Sequence, residues 1–435
     1  MTDLRLDTAA ALAARIADRL ASPDDVGDLG TAERWWPQSL GHGAAGIALL
    51  HVERAHAGLS PWQRAHDWLR FATRQEISAG EDSHLHHGAP ALGFALHGAA
   101  HASGRYARAL EALDRHITRA TRRRLDDAHA RIDRGALPAL AEFDAIRGLA
   151  GTGAHLLRRD PQTDLLRDIL EYLVRLTEPL KDDGETLPGW WSDLAPTGRP
   201  APEYPGGHGN NGVAHGIAGP LALLSLAARR HIVVDGHIEA IHCICDWLDR
   251  WRQDSDTGPW WPYWITRTQL RAGRPDLAGP PRASWCYGAA GLARAQQLAA
   301  LATGHATRRR MAEGALLHAV TGPAQTAALD ASLCHGQAGL LHLAHRVAAD
   351  AEPTDLADRV PRLLDALLAS TADNDLLQTA AAVSKPGGEP TAGPRVRTVN
   401  RLGLLEGLAG IGLVLHSLTS PPDSTTGWDA CLLIT

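Results

Sequence analysis

The sequence predicts an all-α fold, an α/α toroid built as a double barrel of about seven inner and seven outer helices. Three observations lead there. A Gly-x-x-Gly pair heads an apolar, Leu- and Ala-rich run again and again along the chain. A polar amphipathic segment lies between consecutive glycine motifs. Alternation of the kind a strand requires is scarce.

The glycine motifs are Gly43-Ala44-Ala45-Gly46, Gly148-Leu149-Ala150-Gly151, Gly216-Ile217-Ala218-Gly219, Gly288-Ala289-Ala290-Gly291, Gly336-Gln337-Ala338-Gly339 and Gly407-Leu408-Ala409-Gly410. A seventh, around His87-Gly88-Ala89-Pro90-Ala91-Leu92-Gly93, lacks the second glycine at its expected place. Successive first glycines stand 45 to 72 residues apart, too irregular for a solenoid of uniform units and suited to helical hairpins with variable loops. The polar helices are expected over Asp7–Ala21, Pro61–Ala79, Arg105–Leu125, Thr163–Leu180, Val234–Asp254, Arg308–Val320 and Asp355–Thr371. In the fourth, Leu165, Leu166, Ile169, Leu170, Leu173 and Val174 form one apolar face. The glycine-led runs, such as Gly46-Ile47-Ala48-Leu49-Leu50, are apolar all round and belong inside. Residues Lys385–Asn400, rich in Gly, Pro and Thr, read as a mobile loop. The whole chain, 1–435, reads as one domain.

The glycines have a geometric reading. Without side chains at the start of an inner helix, neighbouring elements approach closely and backbone N–H groups can face the middle of the ring. Several helix N-termini converging on one mouth would favour an anionic ligand there. Packing alone is the plainer explanation of any single pair.

Composition excludes several classes. A net charge of -6 argues against a nucleic-acid binder, which needs a basic face. No run approaches the roughly 20 apolar residues of a membrane span. Charges in Met1-Thr2-Asp3-Leu4-Arg5-Leu6-Asp7 argue against an export signal and for a cytoplasmic protein. The five cysteines are too scattered for a disulfide framework. The tryptophans pair between Gly and Pro, as in Trp35-Trp36-Pro37, Gly189-Trp190-Trp191 and Pro259-Trp260-Trp261-Pro262. Such loops either line a cleft or plug loop ends against a core.

Three repeats carry unusual residues just ahead of the first glycine: Asn211-Gly212-Val213-Ala214-His215-Gly216, Arg282-Ala283-Ser284-Trp285-Cys286-Tyr287-Gly288 and Ser332-Leu333-Cys334-His335-Gly336. In a toroid these positions share one end of the ring, so Cys286, Cys334 and His335 can meet. Two thiolates and one imidazole suit Zn²⁺, one per chain, and three protein ligands leave a fourth position open, as in catalytic sites. Cys243 and Cys245, at i and i+2 of a helix, point to different sides and read with Cys431 as ordinary packing residues.

The Trp-Cys-Tyr-Gly, Cys-His-Gly and Asn-x-x-Ala-His-Gly stretches, with the glycine repeats and the terminal Trp428-Asp429-x-x-Leu432-Leu433, resemble the LanC family of lanthipeptide cyclases and their LanC-like relatives. The resemblance covers essentially the whole chain. It implies a zinc-dependent intramolecular Michael addition of cysteine thiols to dehydrated Ser and Thr in a ribosomal precursor peptide, giving lanthionine and methyllanthionine thioether rings. It also implies Cys286, Cys334 and His335 as zinc ligands, with His215, Asp144, Arg282 and Tyr287 as the catalytic set. His215 matches the acid–base histidine and Asp144 its partner. Arg282 and Tyr287 match an active-site arginine and tyrosine. Read without the resemblance, Asp144 is equally a helix cap, His215 a core histidine and Arg282 a surface charge. The implied partners are a dehydrated precursor peptide, a dehydratase and a transporter of the biosynthetic complex, through which the protein would associate peripherally with a membrane. Two other functions fit the same residues: addition of glutathione or another thiol to dehydroamino acids in proteins, and a non-catalytic zinc scaffold.

Overall fold

The structure, a computed structural model, describes residues 2–26, 35–100, 105–256, 258–277, 279–322, 330–352, 355–372, 401–420 and 426–435. The loop expected at Lys385–Asn400 lies outside the described residues. Fourteen helices of eleven residues or more alternate along the described chain. The odd-numbered ones are α1 (Thr2–Arg19), α3 (Trp62–Ala72), α5 (Ala107–Asp133), α7 (Asp164–Arg175), α9 (His237–Trp251), α11 (Ala306–Thr321) and α13 (Val360–Ala372). The even-numbered ones are α2 (Ala44–His56), α4 (Ala89–Ala100), α6 (Leu149–Arg159), α8 (Ala218–Arg229), α10 (Ala289–Thr303), α12 (Gln337–Asp350) and α14 (Leu408–Thr419).

The even helices form the inner ring. Each packs against the next even helix, and α14 returns to α2, which closes the circle. Each later odd helix packs outside the even helix before it, and α1 closes the outer layer on α14. The sequence explains this division. In α2 every residue from Ala44 to Ala55 is buried, whereas α7 buries only the face carrying Leu165, Leu166, Ile169, Leu170, Tyr172 and Leu173. The result is the α/α toroid the repeats predicted.

Two expected helices run too long. The fourth polar helix stops at Arg175 rather than Leu180, because Pro179 drives Glu178 out of helical conformation and Leu180 opens a strand. The second stops at Ala72, beyond which apolar spacing ends. Among the described residues, three two-stranded antiparallel sheets lie in the connections between helices: β1 (Leu180–Asp182) with β2 (Glu185–Leu187), β3 (His208–Asn210) with β6 (Trp264–Thr266), and β4 (Gln253–Ser255) with β5 (Gly258–Trp260).

The repeated glycines have one shared cause. A Cβ placed on Gly46, Gly151, Gly219, Gly291, Gly339 or Gly410 would run into the carbonyl oxygen of the residue six earlier, respectively Leu40, Ala145, Val213, Trp285, Leu333 and Leu404. Each loop therefore folds back over the first turn of the helix it introduces, close enough that no side chain fits between. The degenerate second repeat has Ala91 at that position, and its loop is a tight turn in which His84 and His87 exchange backbone hydrogen bonds at 2.8 and 2.9 Å.

Held this way, the loops bond to one another around the rim. Leu40 N–H donates to His86 O, Ala145 to Ala214 O, Ala214 to Cys286 O, Cys286 to Cys334 O, Cys334 to Leu405 O, and Leu405 to Gly41 O, at distances from 2.7 to 3.3 Å. This belt links neighbouring repeats at six of their seven junctions.

The other structural constraint is the C-terminal segment, which fills the ring axis. Trp428, Asp429, Cys431, Leu432, Leu433 and Ile434 are buried. Inner helices grip it from several sides: Arg158 on α6 donates to Thr426 O, Arg294 on α10 to Ile434 O, and His342 and Arg346 on α12 bond Asp429 at 2.8 Å. Burial raises the Asp429 carboxyl, but His342 and Arg346 outweigh it and hold the group far below the usual range. The Trp285 indole N–H donates to Leu432 O at 2.9 Å, so this plug braces the loop that carries Cys286 from below.

Gly339→Ala is expected to lower stability by about 1–3 kcal/mol, because the new methyl meets backbone rather than a movable side chain. Gly314→Ala, inside outer helix α11 with open space at its Cβ, is expected to raise stability by about 0.5–1 kcal/mol. Denaturant unfolding of the two variants checks the pair, and equal effects would contradict the close-approach explanation.

Candidate functional site

The belt sets the site. Cys286 and Cys334 both sit two residues ahead of a first glycine, in consecutive repeats, and the N–H of one bonds the carbonyl of the other at 3.3 Å. Forty-eight residues of chain thus separate two neighbours. His335 follows Cys334 directly. One donor atom from each of Cys286, Cys334 and His335 lies within 4.8 Å of the other two, and no other group of three potential ligands does so among the described residues. Donors around a tetrahedral zinc, at about 2.3 Å for sulfur and 2.0–2.1 Å for nitrogen, stand roughly 3.5–4 Å apart. The cluster therefore fits such an ion in chemistry and in spacing.

Its electrostatics favour a thiolate. Cys334 donates to Cys286, and with His335 and Ser284 this holds the Cys286 thiol well below its ordinary value despite burial. Cys334 is pushed the other way, by that same neighbour first and by burial second. The His335 imidazole is raised to about 9, first by the Asp330 carboxylate, whose Oδ2 lies 3.0 Å from Nε2, and then by Cys286, against burial.

His215 and Asp144 meet on the same rim although 71 residues apart: His215 Nδ1 lies 2.7 Å from Asp144 Oδ2. Asp144 is buried and makes two kinds of bond. Its Oδ1 accepts the N–H groups of Ile146, Arg147 and Gly148 at 2.6 to 3.0 Å, which orders the loop leading into α6, while Oδ2 holds the imidazole. Asp144 is thus no cap of the first turn of α6, and it is hydrogen-bonded to His215 as the resemblance implied. With Nδ1 engaged, Nε2 is the nitrogen left for chemistry. Burial lowers the His215 pKa, but the Asp144 hydrogen bond and charge more than compensate, with Cys286 adding to them, so the net shift is upward.

Tyr287 stands beside His215, ring centroids 6.5 Å apart, and its hydroxyl accepts from Asn210 Nδ2 at 3.2 Å. Burial keeps the phenol protonated. Arg282 is solvent-exposed at the rim; its backbone carbonyl accepts from the Tyr263 hydroxyl at 2.8 Å, and its charge reaches Cys334 and Tyr263.

Two readings of the sequence are refined. Two of the three tryptophan pairs plug the core, with Trp190, Trp191, Trp260 and Trp261 at most 6% exposed, whereas Trp36 of the first pair is 46% exposed. The aromatic residues near the site are instead Tyr263, Trp264 and Tyr287, packed with centroids 5.2 to 6.1 Å apart. The inner-helix N-termini also offer fewer open donors than expected. Ala44 and Ala45 donate to Pro37 O, Gly291 to Ser284 O, Gln337 to Asp330 O, and Leu408 to Arg401 O, so the folded-back loops already occupy these groups.

Sequence reasoning missed Asp330 and Asn210. A signal existed: Asn210, Arg282 and Asp330 each stand six residues ahead of a first glycine, the position whose side chain can meet the site.

The family model for lanthionine synthetase C-like protein matches residues 34–433. Among solved structures, nisin cyclase superposes with a TM-score of 0.74 at 20% sequence identity, over 97% of this chain and 96% of that one. At that identity the likeness speaks for the fold. No curated protein sequence matches the chain.

His215 is expected to titrate above the ordinary histidine value of about 6.5, and Asp144→Asn is expected to bring it down, since the carboxylate favours the charged imidazole. Histidine NMR titration measures both. An unmoved His215 pKa in the variant would remove Asp144 as its partner.

Proposed function

The chain belongs to the lanthionine synthetase C-like protein family, and from that premise we propose that it is a zinc-dependent lanthipeptide cyclase. The observation that supports this most is the meeting of two thiols and an imidazole on the same rim as a separate His215–Asp144 pair. One group set binds a metal and the other moves a proton.

Cys286, Cys334 and His335 would hold the ion. Zinc there would supply Lewis acidity that converts a peptide cysteine, with a free pKa of about 8.5, to thiolate at neutral pH. The thiolate sulfur bonds the β-carbon of a dehydroalanine or dehydrobutyrine, and the π electrons move onto the α-carbon and its carbonyl. Arg282, exposed at the rim, would stabilise that enolate. His215 then gives a proton from Nε2 to the α-carbon, and Asp144 stabilises the imidazolium between turnovers. The thiol proton leaves to solvent and solvent reprotonates His215, so the peptide is isomerised without change of mass. A dehydratase supplying the substrate, a transporter and peripheral membrane association belong to the same reading. No helix among the described residues is long and apolar enough to cross a membrane.

Metal analysis of the purified protein is expected to give one zinc per chain, falling sharply in Cys286→Ala and unchanged in His215→Asn. With a dehydrated precursor peptide, wild-type protein is expected to remove thiols from alkylation without mass change, and His215→Asn to be slower by about 10²–10⁴. Attachment of added glutathione while peptide thiols persist would favour the intermolecular alternative. Consumption of neither thiol would leave a zinc scaffold.

A further inference from the structure

Two histidines of the rim, His215 and His335, are each held by a carboxylate, but at opposite nitrogens. Asp144 takes Nδ1 of His215 and leaves Nε2. Asp330 takes Nε2 of His335, at 3.0 Å, which leaves Nδ1 as the nitrogen open to a metal shared with the two sulfurs. We propose that Asp330 is a positioning residue for the metal centre, fixing the tautomer and ring orientation in which His335 presents Nδ1 beside Cys286 and Cys334. The inference rests on the zinc reading above.

Asp330 is itself fixed at several points. Its Oδ1 accepts the Ser332 N–H at 2.8 Å, and its carbonyl accepts the Gln337 N–H at 2.8 Å, tying it to the first turn of α12. A Cβ on Gly336 would collide with Oδ1, so the glycine between His335 and α12 is what leaves room for the carboxylate. The arrangement is a property of the repeat. Six residues before the first glycine and one residue before it are side-chain neighbours in the seventh repeat as well, where Arg401 pairs with Glu406. In the sixth repeat that neighbour pair is an acid and a metal-ligating imidazole. A carboxylate on the far nitrogen raises imidazole basicity and limits the ring to one productive orientation, and its loss commonly costs metal sites 10–100-fold in affinity.

The test is zinc affinity by chelator competition on the full chain. Asp330→Asn keeps an oxygen for the Ser332 N–H and replaces only the acceptor facing Nε2. It is expected to bind zinc about 10–100-fold more weakly than wild type, while the metal-stripped protein melts at the wild-type temperature. Asp144→Asn, which removes the same charge from the other histidine, is expected to keep wild-type affinity. Wild-type affinity in Asp330→Asn overturns the proposal. An Asp144→Asn loss equal to that of Asp330→Asn does so too, since the effect would then be general charge rather than positioning. If Asp330→Asn does not fold, the tautomer of His335 in zinc-loaded wild type decides, assigned in ¹⁵N spectra by difference against His335→Gln. A proton on Nε2 supports the proposal and a proton on Nδ1 overturns it. Failure of the wild type to bind zinc at all would instead strike the cyclase reading.

Discussion

A carbonyl oxygen pressed against the first turn of a helix, six residues further along, is the contact on which the rest of this structure depends. Only glycine leaves space for it, and the chain repeats the arrangement at six inner helices. Because each loop is clamped to its own helix, its backbone is presented at a constant height on the rim. Neighbouring loops can then hydrogen-bond from repeat to repeat. A belt of this kind turns sequence positions far apart into spatial neighbours, with no need for the intervening hairpins to be alike. The loops vary in length because nothing in the belt depends on them.

The chemistry follows from the belt. Positions one and two residues before each first glycine line the rim, and there the chain places Cys286, Cys334, His335 and His215. The proposed division of labour is written in hydrogen bonds to the two imidazoles, one restrained at Nδ1 and one at Nε2. The C-terminal plug contributes from beneath. Its buried Asp429, bonded to His342 and Arg346, anchors the segment whose Leu432 carbonyl braces Trp285 next to Cys286. One buried ionic contact low in the ring is thereby linked mechanically to Cys286 at the top.

Much of this was legible beforehand, for a physical reason. A glycine pair is a backbone constraint, so it marks the start of six of the seven inner helices whatever the surrounding side chains do. Helical periodicity marked the outer layer as well, and erred at helix ends: Pro179 ended a helix that Leu176 and Leu180 seemed to continue, the second helix stops at Ala72, and the third runs on to Asp133 rather than Leu125. Cys286, Cys334 and His335 were found because equivalent repeat positions must share one end of a ring. Asp330 was not, because an acid ahead of a helix reads first as a cap, and nothing local says that its second oxygen faces a histidine. The tryptophan pairs were ambiguous for a similar reason: flanking Gly and Pro indicate a rigid loop but not which side of it is buried. The plug was illegible altogether, since the partners that grip it come from α6, α10 and α12, far apart in the chain.

The convergence of two sulfurs and one nitrogen at a single metal is the central claim, and zinc K-edge X-ray absorption of the purified protein tests it most directly. The account predicts a first shell with two sulfur scatterers at about 2.3 Å and the remainder nitrogen or oxygen at about 2.0–2.1 Å. A shell without sulfur, or one with three or four, would contradict it.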